Sequence, residues 1–220
     1  MMRKRFLYLA IVLAALGVLS AAHNFSQPAG QAVERPTVFN AVDVRSLHWS
    51  GQHEGEALVI QSGNSPFATF MPPTFNRFSL AKGVDEAARR LGGRVPLLPT
   101  LLPKGLNYAD VYVGPDVIIC YTYEAAADYR LSEVGVEVSK APSRVPTPEE
   151  RRRCLQPDQE LIQISDIWVT ITDNAHSGWN RETIVCASFH YKDPSYIVGG
   201  KSPLTKQDII RIIESMKTPL

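Results

Sequence analysis

The chain lacks an excess of either charge: 23 basic and 22 acidic residues leave +1 at neutral pH. No global field therefore draws it toward nucleic acid. Arg3, Lys4 and Arg5 sit together at the amino terminus, and the rest of the chain is slightly acidic. That weakens a nucleic-acid partner further. Only three cysteines occur, Cys120, Cys154 and Cys186, and none lies in a C-x-x-C. There is no G-x-S-x-G, P-loop or H-E-x-x-H. There are no internal repeats and no low-complexity tracts. His23, His48, His53, His176 and His190 show no clean metal spacing with one another, with Cys or with carboxylates. No metal, cofactor or catalytic residue is expected.

What is present begins with "MMRKRFLYLAIVLAALGVLSAA", residues 1–22. A basic start precedes an apolar run from Phe6 to Leu19, and Ser20-Ala21-Ala22 offer the small residues of a cleavage site. The layout is that of an export signal. As an uncleaved anchor, Phe6 to Ala22 spans roughly 25 Å as a helix, a little short of a ~30 Å hydrocarbon core. The protein is therefore expected to be extracytoplasmic, either secreted or held at the membrane by residues 6–22. No cysteine near the end of the apolar run is placed to take a lipid.

Residues 23–36, "HNFSQPAGQAVERP", read as a polar tether. Residues 37–80 carry short extended pieces and Trp49, Phe67, Phe70, Phe75 and Phe78, so this segment is expected to pack on the body. The body, 81–220, opens with a helix in "VDEAARRLGG": Val84, Ala87, Ala88 and Leu91 form one stripe, and Gly92 stops it. "GGRVPLLPTLLPKGL", residues 92–106, has Pro96, Pro99 and Pro103 among leucines. The prolines remove backbone donors, so the stretch can be buried as a crossover into the first strand.

Strands follow in "LNYADVYV" and "DVIICYTY", a hairpin about Gly114-Pro115, and in "YRLSEVGVEVSK". "PTPEERRRCL" is a short helix with Thr147 as N-cap, Pro148 at N1 and Glu150 closing a capping box. "LIQIS", "IWVTITD", "TIVCASFHY" and "SYIVGG" are further strands. In the last helix, Thr205 and Asp208 form a second capping box and Ile209, Ile212, Ile213 and Met216 an apolar stripe. The order predicts an α+β domain: an antiparallel sheet covered on one face by helices, with a capped C-terminal helix.

Two stretches, "VDEAARRLGGRVPLLPTLLPKGL" and "YIVGGKSPLTKQDIIRIIESM", resemble a bacterial family of extracytoplasmic domains of unknown function. That family occurs on anchored or secreted proteins, including sporulation-associated and anti-sigma-like regulators. The likeness covers about residues 80–220. A more distant likeness is to the periplasmic lipoprotein-carrier fold, a curved sheet with a helical lid. The resemblance implies a fold and a compartment and brings no catalytic residues with it.

The remaining candidates are modest. Asp173, His176, Ser177 and Trp179 share a polar loop where binding residues often gather, and a plain hairpin loop is the competing reading. In oxidising surroundings one disulfide with a thiol left over is possible, and three small buried side chains are the alternative. Cys154 with Cys186 is the expected pair. Cys154 lies on the helix between strands, and Cys186 lies on a less apolar strand face that such a segment could cross. Cys120 sits mid-strand beside Ile118 and Ile119. A bond between Cys154 and Cys186 would contribute about 3 kcal/mol in the chain-entropy model. Functionally, the chain reads as a non-enzymatic interaction or sensor/regulatory domain with an unknown protein partner. The alternative is an exported carrier holding an apolar ligand between sheet and helices. A deep apolar cavity there would favour the carrier, and a filled core the sensor. A thiol enzyme or hydrolase built on stray Cys and His ranks last.

Overall fold

In the computed structural model the described residues are 37–51, 53–59, 74–125, 132–140, 144–173 and 183–217. The export segment and tether, 1–36, lie outside them. In order, the elements are β1 (Phe39–Ala41), β2 (Glu56–Val59), β3 (Thr74–Ser79), α1 (Leu80–Arg90), β4 (Leu101–Pro103), β5 (Tyr108–Val113), β6 (Val117–Thr122), β7 (Val134–Lys140), α2 (Pro148–Arg153), β8 (Gln159–Ile164), β9 (Ile167–Asp173), β10 (Thr183–His190), β11 (Pro194–Lys201) and α3 (Lys206–Ser215).

Nine strands form one antiparallel sheet in the order β2-β3-β5-β6-β7-β11-β10-β9-β8. Two meanders meet at its middle. The chain leaves β7 through α2, reaches the far edge at β8, and returns strand by strand until β11 pairs with β7. The fold is α+β, with α1 and α3 on one face. α1 lies over β3 and β5, and α3 over β10 and β11.

The sheet takes strands from segment 37–80. β2 and β3 are its first two strands, so the compact unit starts at Thr37 and not at 81. The signal in "TFNRFS" is weak because two prolines precede it and its alternation covers a few residues only. α1 also starts earlier than its stripe predicts, at Leu80. Gly83 sits inside it because a Cβ there would stand 2.3 Å from Cβ of Val111 on β5. A glycine inside a helix weakens the sequence signal; here it lets helix and strand touch. The helix ends as expected. Gly92 and Gly93 take φ of 70° and 88°, and their amides return to Arg89 and Ala88 at 3.3 and 2.8 Å, a Schellman closure.

The middle of the proline stretch, from Pro96 to Pro103, lies against the end of α3 and is largely buried. Leu98 is 2% and Leu102 0% exposed. Its remaining amides are paired: Leu97 N–H donates to Tyr196 Oη at 3.2 Å, Leu98 N–H to the Lys217 carbonyl at 2.8 Å, and Leu101 N–H to Ser215 Oγ at 3.0 Å. Its end forms β4, which pairs with β1. The stretch thereby joins the first described residues to the end of α3.

Both capping boxes form as the sequence predicts, Thr147 with Glu150 and Thr205 with Asp208. Ile209, Ile212 and Ile213 are buried, and Ile210 and Met216 pack partly against the same core. That core also takes Val111, Ile119, Val136, Val198, Ala187 and Val169 from the sheet. The space between sheet and helices is filled along these side chains.

Candidate functional site

Three places bring unusual side chains together. The first is a buried ion pair. Arg77 on β3 donates from Nη2 to Asp110 Oδ2 on β5 at 3.0 Å, with the side chains 9% and 2% exposed. The Ser50 hydroxyl accepts from Arg77 and donates to Asp110 Oδ2, and the Ser50 amide donates to Asp110 Oδ1 at 3.3 Å. The guanidinium stands 5.7 Å from the centre of the Tyr112 ring. Charges so deep must be paired and hydrogen-bonded, and both conditions are met. The cluster fastens segment 37–51 to the sheet, a structural role.

The second is the face of the sheet away from α1 and α3. Register places Cys120, Gly135, Gly199, Cys186 and Thr172 in one row across β6, β7, β11, β10 and β9. The next row holds Ile118, Glu137, Ile197, Ser188 and Thr170. Burial, then the nearby Asp116 carboxylate, holds Glu137 above the usual carboxylate range. Burial, then Glu137, pushes the Cys186 thiol up to about 11. Such a thiol is protonated at neutral pH and a poor nucleophile. His190 Nδ1 lies 2.8 Å from Ser195 Oγ across β10 and β11, and burial with the nearby Arg151 cation lowers the His190 pKa. Arg151 of α2 donates to the Trp168 carbonyl at 2.7 Å, Thr170 Oγ1 at 2.8 Å and the Ser188 carbonyl at 3.0 Å. Arg152 stacks 4.9 Å from the Trp168 ring centre. The basic run of α2 is thus engaged with this face. The cation beside His190 opposes the imidazolium a serine nucleophile would require.

All three cysteines are free thiols, Cys120 buried, Cys154 exposed and Cys186 half-buried. The Cys154–Cys186 bond expected from the sequence is not formed. Cys154 is the C-cap of α2, and it is Arg151 and Arg152, not the cysteine, that reach the sheet face. Cys120 and Cys186 share a row with two strands between them, β7 and β11. That is about 14 Å at ~4.8 Å per strand, too far for a bond.

The third place is a groove of about 320 Å³ at one end of α3. Its lining is about half apolar and half polar: Ile164 and Ile167 flank the β8–β9 turn, Phe189 ends the core face of β10, Tyr191 follows it, Ile213 and Met216 come from the end of α3, and Leu97 from the crossover. Local geometry makes the opening. Ser165 takes φ 52° in the tight β8–β9 turn, which keeps Asp166 at the tip. Ser215 and Lys217 are caught by Thr100 and Leu98 of the crossover, so the chain swings away from the sheet after α3. The rim carries Asp166, Glu214 and Lys217, for which no ion pair appears among the described residues. Ligand pockets start near 300 Å³ and combine an apolar body with a few polar groups.

Of the loop proposed from sequence, Asp173 is exposed at the end of β9 and its amide donates to the Asp158 carbonyl at 3.1 Å. His176, Ser177 and Trp179 lie outside the described residues. Of the histidines and carboxylates near the start of the body, His48 packs beside the Tyr108 ring with centroids 5.7 Å apart and Glu54 pairs with Lys82 at 2.7 Å. The groove residues were missed because they come from remote segments that share no spacing. The one available signal was the two-residue Ser165-Asp166 turn between strands. No family model, curated protein or solved structure matches the chain.

Proposed function

We propose that the chain is a non-enzymatic extracytoplasmic interaction or sensor domain, secreted or held at the membrane by residues 6–22. It grips an amphipathic, cationic segment of a partner in the groove at the end of α3. The observation that carries this reading is the groove itself: the apolar side chains of Ile164, Ile167, Phe189, Ile213 and Met216 under a rim with two carboxylates and one ammonium. Apolar contact holds the ligand's body, and the net negative rim favours a positive end. The export-like leader and the likeness of its two sequence stretches to extracytoplasmic regulators support the compartment. The filled layer at Ile209, Ile212, Val198 and Val111, each 0% exposed, supports an interaction domain over a carrier. A carrier would have to displace these side chains.

Calorimetry with 2-phenylethylamine and 3-phenylpropanoate, small probes of opposite charge, tests the reading. The amine should bind about fivefold more tightly, the equivalent of about 1 kcal/mol for a partly exposed charge contact. Asp166→Asn with Glu214→Gln should abolish the preference. Equal affinity for both probes, or binding insensitive to the rim, contradicts it.

A further inference from the structure

We propose that His190 is a proton-operated latch on α2: a neutral imidazole lets Arg151 dock the helix on the sheet, and a proton on His190 drives the guanidinium off and frees the helix. No residue of α2 is buried, so apolar burial does not fix it. Arg151 holds it instead. Its guanidinium donates to the Trp168 carbonyl, to Thr170 Oγ1 and to the Ser188 carbonyl, and Arg152 stacks on the Trp168 ring. His190 is half-buried and lies two residues beyond Ser188 on β10, so both side chains rise from the same face. Two strand residues span about 7 Å. A guanidinium bound at Ser188 is therefore close to any charge that His190 takes.

Among the described residues, little on this face offsets such a charge. The partner of His190 Nδ1 is the neutral hydroxyl of Ser195. On that face β8, β9 and β11 present no titratable side chain, and β10 presents Cys186, whose thiol stays protonated at neutral pH. Glu137 on β7 is two strands away, about 10 Å at ~4.8 Å per strand. In α2, Glu150 is bound to Thr147 and Arg144, and Glu149 is exposed. Lys192, just past the strand, lies over the Tyr191 ring and adds a further positive charge. An imidazolium would thus face Arg151 and Arg152 with no carboxylate between them.

Burial, then Arg151, already holds His190 below the ordinary histidine value. Undocking removes the Arg151 share, so the undocked state binds the proton more tightly. Docking is then unaffected by His190 above the ordinary value of about 6.5 and weakens as the pH falls below it. Two cations about 7 Å apart at a half-exposed site repel enough to weaken docking about fivefold.

Two NMR readings of the full chain in detergent micelles test this. The first is the titration of the His190 imidazole, whose midpoint should rise in Arg151→Gln. The second uses a nitroxide on Cys154, the exposed thiol, in a Cys186→Ser background. At pH 7.5 it should broaden the Thr170 and Ser188 amides. At pH 5.0 the docked-to-undocked ratio read from that broadening should be about fivefold smaller. His190→Gln cannot take the proton and should hold the ratio constant. If that variant fails to fold, the Arg151→Gln titration still decides. A His190 midpoint that is the same with and without Arg151 overturns the proposal. So does broadening that ignores pH in the parent chain, or that falls equally in His190→Gln.

Discussion

The two meanders of the sheet differ in how many faces they bury. All six residues of β6 are buried, and Phe75, Tyr112, Ile118 and Cys120 form a second small core on the face away from the long helices. In β9 the buried residues alternate, Val169 and Ile171, and in β8 only Ile164 is buried; the row on the far face is Gln159, Leu161, Gln163 with Trp168, Thr170 and Thr172. The first meander is a two-sided scaffold clamped by the Arg77–Asp110 pair. The second has one apolar core face, its other face is engaged only by Arg151 and Arg152 of α2 among the described residues, and it lines the groove. On the proposed reading the binding surface lies where burial stops, because apolar groups that would stabilise a closed core remain available to a partner there.

The largest effect that can break this contrast is loss of the buried pair. Asp110→Ala leaves Arg77 buried without its partner and should cost about 3–5 kcal/mol. Lys206→Ala, which removes the exposed pair with Glu160, should cost less than about 1 kcal/mol. Chemical denaturation of both measures the difference, and similar losses would erase the distinction between the two regions. Next come the apolar substitutions. Ile118→Ala in the second core and Ile212→Ala under α3 should each cost about 2–5 kcal/mol. Leu161→Ala, on the same face as Ile118 but in the one-sided meander, should cost about 1 kcal/mol or less. A Leu161→Ala loss as large as that of Ile118→Ala would mean that both meanders are two-sided.

Glu137 sits at the join, and its effect is smaller and depends on pH. Its pKa in the fold is raised, so folding favours the protonated acid. The stability of that form is present below the unfolded pKa of about 4.3 and is lost as pH rises through the higher folded value. Glu137→Gln should therefore raise the melting temperature at pH 7 and change it little at pH 4. A gain at pH 4 that vanishes at pH 7 would reverse the assignment. The thiols report the same gradient without a stability change. Under native conditions Cys154 should alkylate first, Cys186 slowly and Cys120 last, and the unreduced, unfolded chain should yield three reactive thiols. Smallest of all is the effect of removing residues 1–22. Residues 23–220 should stay soluble and melt cooperatively, and aggregation of that fragment would tie the apolar segment to the body.

The contrast was partly legible in the sequence. "VIICY", residues 117–121, is continuously apolar, as a strand covered on both faces requires, and "IWVTITD" alternates, as a strand with one wet face does. The capping boxes at Thr147 and Thr205 were legible because they are local: donor and acceptor lie three residues apart. β2 was legible as the short extended piece that begins at Glu56, but β3 was not, because a short strand near the sheet edge gains its stability from β5 and not from its own pattern. Gly83 hid the first turn of α1 by marking a helix–strand contact that only the fold creates. Nothing local joins Leu97, Ile164, Phe189 and Met216, so the groove required the packing of crossover, hairpin and helix before it existed.

The most direct measurement is methyl NMR of residues 23–220 titrated with 2-phenylethylamine. If the one-sided meander carries the binding surface, the methyl resonances of Ile164, Ile167, Ile213 and Met216 shift together with one saturation curve, and those of Ile118 and Ile119 stay still. Shifts confined to Ile118 and Ile119, or spread evenly over both meanders, would contradict it.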